Sequence, residues 1–483
     1  MELDPLILSR IQFAFVVSFH AIFPVFTIGL ACFIATLETL GFMTKNPVWI
    51  KLSTFWTKVF AVVFGMGVVS GIVMSFQFGT NWSNFAQASA NFLGPVLSYE
   101  VLTAFFLEAA FLGVLLFGRD KVPAGIHMFS AMMVALGTMI STFWILSANS
   151  WMHTPAGVDL REGVFHVTSW AEAIFNPSFP YRLLHMGVAS FLTGSFVVAG
   201  VSAWYLLKGR EVEANRKALS ICLWFLLLIA PAQAVIGDFH GLNTLEHQPM
   251  KVAAMEGNWE TSRQVPLLLF AIPDQENQTN HFEVGIPGLA SLILTHEWDG
   301  ELPGLEEVSV DQQPPVAIVF WSFRVMVGLG LLMIAFAVAG LLLRPGGRYW
   351  RTNWFLQGLR LMSITPFIAV LAGWFVTEIG RAPWLVYGMM THAEGLTPSL
   401  TGGMALFTLI GYVLVYAVVF SAGLYYLMRV LYVGLEDREE SEDRDTKRPS
   451  RPFSAADVPF EFDTAGAGNS KSTHQGGPSS WNS

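Results

Sequence analysis

Several side chains able to bind a metal or carry a proton lie where an apolar sequence has no ordinary use for them. His20 follows SRIQFAFVVSF, Glu100 and Glu108 punctuate SYEVLTAFFLEAAFLG, and His185 precedes a long greasy run. Arg324 and Met326 fall in FRVMVG, and Glu378 and Arg381 close GWFVTEIGRAPW (373–384), with Trp374 and Trp384 on either side. On a helix the eight-residue spacing of Glu100 and Glu108 separates them by about 80°, so both acids can face one interior and line a proton or cation path. His20, His185, Met326 and Glu378 are single, well-separated metal-ligand types. A zinc centre gathers several N or S ligands in one place. A copper–haem centre would need adjacent histidines, and no His-His occurs; nor do the paired histidines of a bis-histidine cytochrome. Haem asks for only one or two axial ligands per iron, and His with Met is a known pair. Sparse ligands therefore favour haem. Each signal alone is weak: a lone buried histidine is more often a hydrogen-bonding core residue, and one Met among 19 is more often packing. The two acids could also serve a path with no haem at all.

What positions these residues follows from composition. Hydrophobic residues make up 53% of the 483 and charged residues 13%, about half the charge of a soluble domain. The expectation is an all-α integral membrane protein. Apolar runs of about 20 residues recur near 14–40, 54–78, 95–117, 126–147, 183–207, 217–238, 320–343, 357–379 and 403–432, giving a bundle of about nine transmembrane helices. The first run is too long for a signal peptide, and Glu2 and Asp4 precede it where basic residues should be. Cys32 and Cys222 both fall inside apolar runs and read as small core residues, not a disulfide. No fixed-period repeat and no Gly-rich nucleotide fingerprint is present, and no nucleic-acid partner is expected.

Basic residues set the orientation. Lys45, Lys51, Arg119, Lys121, Lys208, Arg210, Arg216, Lys217, Arg344, Arg348 and Arg351 follow runs one, three, five and seven. Those connections are expected in the cytoplasm, with the N-terminus outside and the C-terminus inside. The stretch 79–94, free of charge, reads as an outer connection. Residues 239–319, between helices six and seven, form a long outer loop with twelve acids against Lys251 and Arg263; its apolar content predicts that it folds onto the bundle. The expected division is a bundle over 1–436 and a disordered cytoplasmic tail over 437–483. An ionisable group within the bilayer is a functional hypothesis by default. In this topology His20, Glu100, His185, Arg324, Met326 and Glu378 share the outer half, with Glu108 deeper.

The chain resembles subunit I of the cytochrome bd-type quinol oxidases from Met1 to about residue 435. The resemblance is carried by SRIQFAFVVSFH (9–20), FQFGTNWSNF (76–85), SYEVLTAFFLEAAFLG (98–113), ILSANSWM (145–152), SAWYLLKGR (202–210), KVAAMEGNWE (251–260), IPDQE (272–276), FRVMVG (323–328) and GWFVTEIGRAPW. It implies that His20 is the axial ligand of the oxygen-reducing haem, and that His185 and Met326 hold the low-spin haem b. Glu378 would ligate the high-spin haem b with Trp374 and Arg381 beside it, Arg381 pairing with a propionate or with Glu378. Glu100 and Glu108 would lie on the proton route. Lys251 and Glu256 would be the quinol-site residues of the outer loop, and Arg324 the arginine two residues before the Met ligand. The implied cofactors are two haem b and one haem d, or a third haem b in its place. Quinol would be oxidised at the outer face and O₂ reduced to water with cytoplasmic protons, building a proton gradient without pumping. The implied setting is the bacterial cytoplasmic (inner) membrane, with subunit II and often a small single-span subunit. A haem-bearing electron carrier or a proton-conducting transporter that does not reduce oxygen is the alternative reading. One departure is local: Ala382 stands in GRAPW where the family usually carries Gln. The loop is of the short, cyanide-insensitive-oxidase-like type.

Overall fold

The structure is a computed structural model that describes residues 3–435; the expected tail over 437–483 lies outside the described residues. Among the described residues nine helical segments are long and apolar enough to cross a membrane: Pro5–Thr44, Pro47–Thr80, Ser83–Phe117, Ala124–His153, Trp170–Leu207, Val212–His247, Val310–Leu342, Asn353–Ile379 and Gly402–Val433. We refer to them as spans one to nine. The all-α reading therefore holds, and the spans match the apolar runs one for one.

Their ends reach further than hydrophobicity alone indicates, because capping chemistry and not the bilayer sets them. The Asp4 side chain accepts from Leu6 N at 2.8 Å ahead of Pro5, and Asn46 accepts from Val48 N at 3.0 Å ahead of Pro47. Side-chain caps followed by Pro at the first helical position start both helices. Span one thus begins nine residues before its apolar run, which puts His20 about 22 Å from the helix start at 1.5 Å per residue. The stretch 79–94 is not a loop either. Span three starts at Ser83, leaving Asn81 and Trp82 to make the turn. The Asn81 amide donates to Ser9 Oγ at 3.0 Å, and Trp82 is buried, so this short turn satisfies itself against span one.

The main core joins spans one, two, five, six and eight through Leu30, Ile34, Trp56, Phe60, Phe196, Leu226 and Phe355, all at most 1% exposed. Spans one and five cross closest at Gly29 and Gly194, where a Cβ on Gly194 would lie 2.7 Å from the Gly29 carbonyl carbon. Small residues at such crossings are how membrane helices gain contact without a hydrophobic drive.

Two interruptions matter for the candidate site. Span three contains a π turn over Val101–Phe105, between its two acids. A π turn absorbs one extra residue, so Glu100 and Glu108 end up about 20° apart and not 80°. Span eight breaks between Asn353–Met362 and Thr365–Ile379, ahead of Pro366.

One end of the bundle carries the long 248–315 connection. It folds onto the spans, as its apolar content predicts. Its first element is a helix, Pro249–Glu256, whose Val252, Ala253 and Met255 pack on Val316, Val319 and Val376. An antiparallel hairpin, Leu267–Asp274 with Thr279–Ile286, follows. A second hairpin, Val158–Arg161 with Val164–Val167, and a short ladder, Trp384–Val386 with Met390–Thr391, lie at the same end.

Candidate functional site

Glu378 is the centre of a buried polar cluster at the loop end. Its Oε2 accepts from Arg381 Nη2 at 2.7 Å, and its Oε1 accepts from Asn149 Nδ2 at 2.9 Å and from His153 Nε2 at 3.2 Å. Arg182 Nη1 in turn donates to Asn149 Oδ1 at 2.5 Å. The Lys251 ammonium donates to His153 Nδ1 at 3.2 Å, which fixes the proton of that ring on Nε2, facing the carboxylate. Gln248 Nε2 holds the His153 backbone carbonyl at 2.8 Å. Four separate segments meet here: the ends of spans four, five and eight and the loop helix.

Charge does not balance in this cluster. Arg182, Lys251 and Arg381 are 7%, 4% and 3% exposed, and one carboxylate faces three cations. Burial, reinforced by Arg182 and Arg381, pulls the Lys251 ammonium well below the ordinary lysine range. Arg381 is also lowered by burial, with Glu378 opposing. Nε and Nη1 of Arg381 and Nε1 of Trp374 are buried with no partner. Buried donors without acceptors are costly, so this set of cations and idle N–H groups suits an acidic ligand such as a haem propionate. Glu378 also keeps a quarter of its side chain uncovered, and Oε2, with a single donor, has a lone pair left for a metal.

The other ligand types lie elsewhere, each on its own pair of helices. Ser70 Oγ donates to the Gly67 carbonyl at 2.8 Å, so His20 Nδ1 must be the donor in its 2.9 Å contact with Ser70 Oγ. That leaves Nε2 unprotonated and able to bind iron, the arrangement that orients most metal-bound histidines. His20, His185 and Met326 share one further feature: each touches a glycine of a neighbouring helix. A Cβ on Gly71 would lie 3.1 Å from His20 Cε1, one on Gly237 3.2 Å from His185 Cε1, and one on Gly373 3.0 Å from Met326 Sδ. Missing side chains beside all three let each candidate ligand lie close against the neighbouring helix backbone. Among the described residues no three His, Cys, Asp or Glu side chains gather as a metal cluster, so the donor set suits haem better than a bare ion.

Glu100 and Glu108 both face span four. Ser141 Oγ donates to Glu100 Oε1 at 2.7 Å, and Glu108 fits against Gly137, whose added Cβ would lie 2.5 Å from Glu108 Cγ. Gly137 and Ser141 are one turn apart, so one face of span four serves both acids.

Lys251 and Glu256 do not share a pocket. Five residues apart on one helix, they point about 140° from each other. Lys251 enters the Glu378 cluster, whereas Glu256 Oε2 accepts from Arg324 Nη2 at 3.1 Å. Arg324 also bonds the Met255 carbonyl and donates through Nε to the Leu268 carbonyl at 2.9 Å. Burial raises the Glu256 carboxyl above its usual range, with Arg324 opposing. Both loop residues are buried, as a loop folded onto the bundle allows.

Sequence reading overlooked Asn149, His153, Arg182, Gln233 and His240. ILSANSWM carries Asn149 and ends one residue short of His153, while Arg182 stands three residues before His185; each signal was present but adjacent to the chosen residue. His240 lies with its ring 5.4 Å from that of His185, and Gln233 Nε2 donates to the His185 carbonyl at 3.0 Å. A buried network at the opposite end was also missed. Arg119 donates to both Glu38 oxygens at 3.1 and 2.5 Å, His127 Nδ1 meets Glu38 Oε2 at 3.1 Å, and Ser53 bonds Oε1.

Residues 8–435 match the family described as cytochrome bd terminal oxidase subunit I. The chain is 34% identical to the cytochrome bd ubiquinol oxidase subunit 1 of Bacillus subtilis (strain 168), covering 94% of this chain and 98% of that protein. It is 31% identical to the cytochrome bd-II ubiquinol oxidase subunit 1 of Escherichia coli (strain K12), covering 89% and 97%. The solved structure of the bd oxidase from Geobacillus thermodenitrificans superposes with a TM-score of 0.84 at 31% identity, covering 90% of this chain and 99% of that one.

Proposed function

This chain belongs to the cytochrome bd terminal oxidase subunit I family, and we propose that it is the haem-bearing catalytic subunit of a quinol oxidase in the bacterial inner membrane. The observation that carries this reading is the Glu378 cluster, where three buried cations surround one carboxylate and Arg381 and Trp374 keep N–H groups idle. His20, with Nε2 bare, would hold the oxygen-side haem, His185 and Met326 the low-spin haem b, and Glu378 the high-spin haem b. Bound there, two haem b and a haem d or third haem b would pass electrons singly to O₂. Arg381, Lys251 and Arg182 would neutralise propionates.

Glu256 is suited to take a proton from a quinol hydroxyl, since burial has already raised its carboxyl above the usual range. Lys251, directed at His153 instead, would act on the Glu378 side and not on the same hydroxyl. Glu108 and Glu100, aligned by the π turn and served by Ser141, would deliver protons from the basic end, which is cytoplasmic with the N-terminus outside. Protons released at the loop end and taken up at the other separate charge without a pump. The subunit I name implies a subunit II partner; a small single-span subunit is a further expectation.

The test is a reduced-minus-oxidised spectrum with a pyridine haemochromogen assay on the purified oxidase. Three haems per complex with quinol-driven oxygen uptake is the expected result. A protein without haem, or one with haem that takes up no oxygen, would replace this reading by the transporter or the electron carrier.

A further inference from the structure

We propose that the hairpin Leu267–Ile286 lies in the bilayer leaflet at the loop end, with its outward face against lipid acyl chains. The hairpin is two-faced. Leu268 and Ala271, 5% and 0% exposed, pack on Phe320 of span seven. Leu269, Phe282, Val284 and Ile286 point away and are 55%, 77%, 59% and 43% exposed. Phe282 does so from a left-handed backbone at φ 56°, a conformation that a bulky residue adopts only when its surroundings impose it. A contiguous apolar face of this kind is rare on a surface bathed in water.

Two contacts fix its depth. At the tip, Gln275 Nε2 donates to the Pro314 carbonyl and Gln275 Oε1 accepts from Val316 N, both at 3.2 Å, at the first residue of the span seven helix. Near the base, the Leu268 carbonyl accepts from Arg324, eight residues further along that helix, or about 12 Å deeper. The helix Val316–Leu342 has 27 residues and is about 40 Å long, against a hydrocarbon layer of about 30 Å. Centred in the bilayer, it leaves about 5 Å outside that layer at each end, so the base of the hairpin sits about 7 Å inside it. Polarity runs the same way: Asp274, Glu276 and Asn277 occupy the tip, and the exposed apolar residues crowd toward the base. Phe270 meets Trp321 edge-on with ring centroids 5.2 Å apart, so the apolar face continues into the surface of span seven, where Ile318 and Val325 are exposed. A two-stranded ladder has open edges, which exclude deep hydrocarbon; the interfacial zone, where an apolar face sinks about 5–10 Å, accommodates it.

The hairpin is also fastened to the loop helix. Asn280 Nδ2 donates to the Gly257 carbonyl, and Trp259 Nε1 donates to Asn280 Oδ1, each at 2.9 Å. The residue after Glu256 therefore moves with a lipid-seated element. The inference rests on the bundle crossing a bilayer and stands apart from the quinol reading.

The test uses the whole oxidase in nanodiscs, with single cysteines at Phe282→Cys, Val284→Cys and Leu269→Cys and a tip control at Glu276→Cys. Each carries an environment-sensitive fluorophore, and the parent complex is labelled in parallel as background. Haem content identifies correctly assembled variants, and three sites guard against one that fails. Emission at 282, 284 and 269 should be blue-shifted and quenched by a nitroxide near the glycerol end of the lipid chains, while aqueous iodide quenches only position 276. Iodide quenching at the three sites would overturn the proposal in favour of a water-facing loop. Quenching by neither agent would overturn it in favour of a covering protein partner.

Discussion

Two acids, Glu378 at the loop end and Glu38 at the other, sit in polar clusters of similar make-up and opposite completeness. Glu38 has a side chain 3% exposed, and every oxygen contact is answered: Arg119 bidentately, His127 and Ser53. The second ring nitrogen of His127 is taken by the Leu115 carbonyl at 3.1 Å. One acid meets one guanidinium, and neither Arg119 nor His127 keeps a buried donor without a partner. Glu378 has a side chain 25% exposed, three cations around it, and donors on Arg381 and Trp374 with no protein acceptor. A closed cluster locks helices together; an open one is shaped for something the chain does not itself provide. Burial of charge alone therefore does not single out a candidate ligand site; excess cations together with idle donors beside one carboxylate are what set the Glu378 cluster apart.

The sharpest way to break this contrast is to remove each acid. Glu378→Ala should lose the high-spin haem selectively and lower oxygen uptake by roughly 100-fold or more, since loss of even an outer partner of a metal ligand costs about 10–100-fold. The low-spin spectrum should survive and Glu378→Asp should be intermediate. Three haems with normal uptake in Glu378→Ala would reduce Glu378 to a partner of Arg381. Glu38→Ala should instead act on folding, because it leaves the buried His127 and the partly buried Arg119 without their acid. Breaking a buried pair costs about 3–5 kcal/mol, so yield and thermal midpoint should drop while protein that does assemble keeps all its haem. Selective haem loss there would erase the distinction.

A smaller effect is expected at Met326. Met326→Leu conserves volume, at a cost usually below about 1.5 kcal/mol, but Leu cannot bind iron. The low-spin signal should vanish or its midpoint potential fall; an unchanged spectrum and potential would make Met326 packing. Smallest in haem content, and most useful for dividing the loop end, are Lys251→Ala and Glu256→Ala. Both should slow quinol oxidation severalfold more than oxidation of an artificial donor. Because Lys251 reaches His153 and Glu256 reaches Arg324, the first should perturb the high-spin spectrum and the second the low-spin one. Identical perturbations from both would show that the two residues act at one place.

Span number and the placing of each candidate ligand on its own helix were legible because hydropathy and lone ionisable residues are local signals. The ends of the spans were not. Asp4 and Asn46 lengthen helices by capping, and hydropathy is blind to a cap. Membership of the Glu378 cluster was half legible: Glu378 and Arg381 share one segment, but Asn149, His153, Arg182 and Lys251 converge from three others, and convergence is a tertiary fact. The divergence of Lys251 and Glu256 was readable in principle. Five residues on a helix means opposite faces, but only once 249–256 is known to be helical and not loop.

The π turn at Val101–Phe105 has a consequence for how span three tolerates changes in length. A helix normally cannot gain or lose a residue without swinging everything beyond it through about 100°. Here one residue is already surplus to the helical repeat. Deleting it lets the backbone relax into an ordinary helix while Glu100 and Glu108 keep facing span four, whereas inserting another rotates one acid out of that face. This segment should therefore be forgiving of a one-residue deletion and intolerant of a one-residue insertion.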